Sequence, residues 1–179
     1  MDSAIIGQYA PDFELPGTDG GIHHLARYLD RHRAIVVVFM CNHCPYVKLY
    51  LDRLKQLQSE MQSQGVALIG INPNDEKQFP EEGYEKMHGF AAERQLNFLY
   101  LRDMNQDVAQ SFNALKTPQV FLLDQQGIVR YAGAIDDNAQ SSSAVKVPYL
   151  RNAIAALLNQ QLIAPVSTDP IGCSIKWRN

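Results

Sequence analysis

The stretch Ala34-Ile35-Val36-Val37-Val38-Phe39-Met40-Cys41-Asn42-His43-Cys44-Pro45 decides how this chain folds. Its first seven residues are apolar and mostly β-branched, with no polar alternation. That pattern suits a strand covered on both faces in the middle of an α/β sheet, because neither face meets water. Downstream, Val47, Tyr50, Leu51, Leu54, Leu57 and Met61 recur every three or four residues, with Lys48, Asp52, Arg53, Lys55 and Gln56 between them. This spacing predicts an amphipathic helix. Cys41 and Cys44 therefore fall where a strand turns into a helix.

The N-terminus of a helix offers unpaired N–H groups and the positive end of a dipole, and the thiolate is the reactive form of cysteine. Cys41 is the expected nucleophile. Three residues along a first helical turn would bring Cys44 onto the same face, within reach of a disulfide, as the resolving thiol. The spacing alone also fits two core cysteines or half a zinc site; the strand before and the helix after favour a redox pair.

A C-x-x-C at a strand-to-helix junction, followed by Pro45 and later by Thr117-Pro118 entering a second apolar strand, resembles the thioredoxin superfamily. The opening Gly7-Gln8-Tyr9-Ala10-Pro11-Asp12-Phe13-Glu14-Leu15 is similar to the start of peroxiredoxins and of membrane-tethered thiol reductases, which points to the redoxin branch (alkyl hydroperoxide reductase and thiol-specific antioxidant). The resemblance covers residues 5 to 160. It implies an α/β, thioredoxin-like fold: a central mixed sheet flanked by helices, with an N-terminal β-hairpin and a helix–strand insertion. It further implies that Pro118 is cis beside the two cysteines and that Thr117 offers its backbone to an extended substrate, which pairs like an added strand.

At 179 residues, 46% hydrophobic and 20% charged, the chain reads as one ordinary globular domain over 1–179. Residues 1–30 form a hairpin extension and 161–179 a docked tail. A formal charge of −3 without a basic stripe argues against nucleic acid as a partner. Met1 to Ile6 carry neither a basic n-region nor a long apolar run, so the expectation is no membrane association and a cytoplasmic location. Three cysteines, two of them three apart, suit a catalytic pair in a reducing compartment better than a disulfide framework.

Along the chain, Asp19-Gly20-Gly21 predicts the turn of a hairpin between Phe13–Leu15 and Ile22–Leu25. The adjacent His23 and His24 would point to opposite faces of a strand and so make a poor chelating pair. Gly65 is placed to end the first helix before a second buried strand, Val66–Ile71. Residues 73 to 83 should form a loop over the thiol site. A helix at Tyr84–Gln95 and a strand at Asn97–Leu101 look like the redoxin insertion. Asp103 should cap a helix carrying Val108, Ala109 and Phe112. Gln119–Leu123 and Ile128–Tyr131 read as a hairpin that supplies the antiparallel half of the sheet. Asp136–Ser143 reads as a flexible surface loop, and Pro148 opens a last helix.

The reaction that follows is thiol–disulfide exchange with disulfide-containing proteins or low-molecular-weight thiols, needing no metal and no cofactor beyond the Cys41–Cys44 disulfide itself. His43 between the cysteines is a candidate modulator, since a nearby imidazolium favours the thiolate. Many thioredoxins keep a buried Asp six residues before the first cysteine; this chain has Ile35, which leaves the proton acceptor for Cys44 open. A thiol peroxidase is the alternative, with Cys44-Pro45 at the peroxidatic position, although Cys41 stands where those enzymes carry threonine. Thiol-metal binding by Cys41, Cys44, Cys173 and a histidine is a third reading that lacks a fourth placed ligand. Cys173, between Ile171 and Ile175, is either a buried structural thiol or a third redox thiol, the latter requiring Cα atoms within about 7 Å of a partner.

Overall fold

The computed structural model describes residues 4–179; the expectation for Met1–Ser3 lies outside the described residues. Its centre is a five-stranded mixed sheet in the order β5-β4-β3-β7-β8. The strands are β3 (Ala34–Phe39), β4 (Val66–Asn72), β5 (Leu99–Arg102), β7 (Gln119–Asp124) and β8 (Val129–Gly133). β3 runs parallel to β4 and antiparallel to β7, so it is paired on both edges.

Every residue of β3 is buried, and the strand's alternation divides the core in two. Ala34, Val36 and Val38 face one cluster with α2 (Pro45–Met61), α3 (Tyr84–Glu93) and α5 (Tyr149–Leu158). Ile35, Val37 and Phe39 face the other, with α4 (Asp107–Ser111) and residues from the first hairpin. Burial on both sides is why this strand shows no polar alternation.

The first hairpin pairs β1 (Glu14–Pro16) with β2 (Ile22–His24), Glu14 opposite His24. His23 bonds the Asp19 carboxylate at 2.8 Å and the Tyr28 hydroxyl at 2.6 Å, whereas His24 lies 3.6 Å from Glu14, so the two rings serve different partners. A short helix the sequence reading lacked, α1 (Leu25–Leu29), follows directly. Gly65 adopts φ 81° between the end of the first long helix and β4, a conformation open to glycine at no steric cost. Asp103 accepts from the Ala109 amide at 2.8 Å, although the residue preceding α4 is Gln106.

The segment at Asp136 differs from its expectation. Asp136 is 4% exposed; it accepts from the Tyr50 hydroxyl at 3.0 Å and from Arg53 at 2.8 Å. Arg53 also donates to the carbonyls of Asn138 and Ala139, which fastens this segment to α2. An acidic residue before serines looks solvated in one dimension; here its partner lies more than eighty positions away. No helix among the described residues is long and apolar enough to cross a membrane.

Candidate active site

Strand β3 ends at Phe39 and α2 begins at Pro45, so Cys41-Asn42-His43 form a loop and Cys44 is the residue that caps the helix. Pro45 explains the boundary: its fixed φ and missing N–H suit the first helical position, and the residue before a proline is driven to extended backbone. Cys44 has φ −70° and ψ 124°. The expected first helical turn carrying both cysteines is therefore not formed.

The disulfide in the structure also differs from the expected Cys41–Cys44 bond. Cys44 is joined to Cys173, with 6.3 Å between Cα atoms and 129 positions between them in sequence. Cys41 is the free cysteine. Cys173 belongs to β9 (Cys173–Ser174), which pairs antiparallel with β6 (Lys116–Thr117), Thr117 opposite Cys173. The tail is thus docked, and its strand lies along Thr117.

Thr117-Pro118 is a cis peptide, and both residues are buried. The Thr117 hydroxyl lies 3.5 Å from the Cys41 sulfur, and its carbonyl oxygen lies 3.3 Å from the Cys44 sulfur. This one residue touches all three cysteines, two through its side chain and carbonyl and the third through strand pairing. The structure so brings together Cys41, Cys44, Cys173, Thr117 and Pro118; His43 is exposed at the rim.

Burial pushes the Cys41 thiol up to about 11, with the Glu82 carboxylate adding to the rise. The Thr117 hydroxyl and the amides of Cys44 and His43 act in the opposite direction. At 1% exposure Cys41 is a neutral thiol at physiological pH, not the stabilised thiolate that a helix N-terminus suggested.

Glu82 escaped the sequence reading as a site residue. It is 2% exposed and accepts from the backbone amides of Asn42 at 2.8 Å and His43 at 3.0 Å, and from the Asn72 side chain at 3.0 Å. Tyr100 donates its hydroxyl to Asn42 at 2.7 Å. These residues fix the Cys41–Cys44 loop from behind. The only signal in the sequence was the acidic loop at 73–83, which does cover the thiols.

A cavity of about 160 Å³ opens beside the sulfurs, lined by Cys41, His43, Cys44, Phe79, Glu82 and Cys173, among others. At roughly 30 Å³ per water it has room for about five waters. Among the described residues no cluster of three or more His, Cys, Asp or Glu is arranged to hold a metal ion.

Residues 6–132 match the AhpC/TSA family. The thiol:disulfide interchange protein DsbE of Escherichia coli (strain K12) is 27% identical over 139 residues, spanning 77% of this chain and 70% of that protein. Among solved structures, a hypothetical protein from Sinorhizobium meliloti 1021 superposes with a TM-score of 0.91 at 34% identity, covering 99% of this chain and 97% of that one. Peroxidoxin BcpB from Mycobacterium tuberculosis shares the fold at a TM-score of 0.66 and 20% identity, covering 85% and 95%. The architecture is thioredoxin-like: a mixed five-stranded sheet flanked by helices with a hairpin before it.

Proposed function

The chain belongs to the AhpC/TSA family, and from that premise we propose that it is a thiol–disulfide oxidoreductase in which Cys41 attacks a disulfide sulfur and Cys44 displaces the product. The observation that carries this reading is a disulfide already formed at Cys44, with a second thiol, Cys41, beside it on the same loop and the cis-Pro118 segment against both. The likeness to a thiol:disulfide interchange protein supports the same chemistry.

In the reducing direction the Cys41 thiolate attacks R–S–S–R′, forming Cys41–S–S–R and releasing R′S⁻. The Cys44 thiolate then attacks the Cys41 sulfur, releasing RS⁻ and leaving Cys41–S–S–Cys44. Two electrons pass from the cysteine pair to the substrate. Activation of Cys41 follows from the causes of its raised pKa. Burial is the leading one, so a form in which water or substrate reaches the sulfur loses most of the upward shift and retains the two amides and the Thr117 hydroxyl that favour the anion. His43 at the rim adds positive charge when protonated. Substrates are disulfide-containing proteins or low-molecular-weight disulfides.

The test is trapping. Cys41→Ser should abolish reduction of a protein disulfide, and Cys44→Ser should accumulate mixed disulfides through Cys41. Accumulation through Cys44 in Cys41→Ser, with none in Cys44→Ser, would reverse the two roles.

Hydroperoxide reduction is the second reading, favoured by a cavity of about 160 Å³ that reaches Cys44 and Cys173. A peroxide would oxidise Cys44 to the sulfenic acid, and Cys173 would condense with it to the observed disulfide with loss of water. Peroxide consumption by Cys41→Ser at the wild-type rate, with no reduction of disulfides by the wild type, would favour that reading.

A further inference from the structure

Strand β9 lies on the backbone edge of β6, the edge that the thioredoxin resemblance implies for an extended substrate. Thr117 is the residue opposite Cys173, and Ile175 donates its amide to Leu115 at 3.0 Å, so the tail continues the pairing along the segment entering Pro118. Its cysteine is bonded to Cys44, the resolving cysteine, and not to Cys41, the one that would capture a separate substrate. Gly172 makes the approach feasible. A Cβ at that position would stand 2.3 Å from the Thr117 carbonyl oxygen and 3.0 Å from the Pro118 nitrogen, closer than side-chain carbons come to other atoms.

The tail is also held on both sides of the cysteine. Pro170 and Ile175 are buried. Lys176 donates its amide to Asn74 at 2.9 Å, and its carbonyl accepts from Asp75 at 2.9 Å and Gln106 at 2.9 Å. Asn74 and Asp75 lie in the loop that covers the thiols, so one strand joins the covering loop, the cis-proline segment and Cys44.

We propose that β9 is a tethered substrate and that Cys173 is a third redox residue, taking the disulfide over from Cys41–Cys44 and closing the substrate edge as it does so. The proposal rests on the oxidoreductase reading above. In the step, the Cys173 thiolate attacks the Cys44 sulfur of Cys41–S–S–Cys44; the Cys44–Cys173 bond forms, the Cys41–Cys44 bond breaks, and Cys41 leaves as a thiolate that takes a proton in its buried position. No electrons enter or leave. A dithiol reductase or a low-molecular-weight thiol then reduces Cys44–Cys173, attacking at Cys173, which is half-buried whereas Cys44 is buried, and is itself oxidised to the disulfide. The substrate class that fits the edge is an extended polypeptide whose cysteine follows a glycine.

The experiment oxidises the reduced full-length protein with one equivalent of oxidised glutathione, quenches in acid at intervals, alkylates, and maps disulfides by mass spectrometry. Wild type should show Cys41–Cys44 first and then Cys44–Cys173, with Cys41 alkylated at the end point. Gly172→Val keeps all three cysteines but pushes β9 off Thr117; it should hold Cys41–Cys44 at least tenfold longer. A mixed-disulfide peptide copying residues 170–176 should react with a Gly172→Val, Cys173→Ser double variant, in which β9 is off Thr117 and the edge is free, at least tenfold faster than the same peptide with valine for its glycine. If Cys41–Cys44 forms and persists in wild type, or Gly172→Val closes as fast as wild type, or the two peptides react alike, the tethered-substrate proposal is overturned while the oxidoreductase reading stands. If Cys41–Cys44 never forms in any of the proteins, the oxidoreductase reading fails, and the proposal with it.

Discussion

Reducing the Cys44–Cys173 bond should lower equilibrium stability by roughly 5 kcal/mol, because the bond closes a loop of 129 positions that the unfolded chain would otherwise close only rarely. With a urea m-value of about 2 kcal/mol/M, that is a midpoint drop of about 2.5 M. Linkage gives the same quantity a second reading: if the bond stabilises the fold by roughly 5 kcal/mol, the fold stabilises the bond equally, placing its potential about 110 mV below that of the same pair in the unfolded chain. The assay compares urea transitions of oxidised and fully reduced protein. It is best run in Cys41→Ser, since a free Cys41 in the unfolded chain would reshuffle the disulfide. Cys173→Ala should match the reduced form without any reductant. A difference below about 1 kcal/mol would refute the reasoning, since the fold would then not be holding Cys173 opposite Cys44.

Three further outcomes follow from the same geometry. Because the folded pKa of Cys41 is raised from 9.0 to about 11, its contribution is fully present below pH 9 and is lost as pH rises through 11. Wild type should lose up to about 3 kcal/mol more than Cys41→Ser across that window, and parallel pH–stability profiles would remove the burial argument. Glu82→Gln removes a charge that raises Cys41, so the thiolate absorbance of the oxidised protein, read against Cys41→Ser, should titrate at lower pH; the loop loses charge-assisted bonds from Asn42 and His43, and stability should fall by about 2 kcal/mol. His43→Ala should raise the Cys41 pKa in the reduced protein and make the pair less oxidising, and an unchanged titration would assign His43 no tuning role.

What the sequence made legible was the local pattern of the longer elements, not of short ones such as α1 and β9. The doubly buried β3, the amphipathic α2, the Gly65 stop and the β7–β8 hairpin all announce themselves within a dozen residues. The spacing of the two cysteines suggests a helical turn, but Pro45, whose ring sets the helix start, leaves the thiol loop outside the helix. The Cys44–Cys173 bond and the Asp136–Arg53 anchor were not legible, for a common reason: each depends on approach between residues far apart in sequence, which no periodicity encodes. Glu82 belongs to the same class. Within its loop it is one acidic side chain among several, and only in three dimensions does it reach the amides of Asn42 and His43.

The loop amides act on both sides of the Cys41 balance. Those of Cys44 and His43 favour its anion, while Glu82, which accepts from the Asn42 and His43 amides, brings a like charge near the sulfur. The charge is nevertheless the smaller influence on Cys41; burial comes first. Cys173 and the loop residues Asn74, Phe79 and Glu82 line the cavity that Cys41 faces, and the tail engages both Thr117 and that loop. A substitution that loosens the tail should therefore activate Cys41 more than one that neutralises Glu82, because it acts on the larger of the two causes while leaving the loop's hydrogen bonds in place.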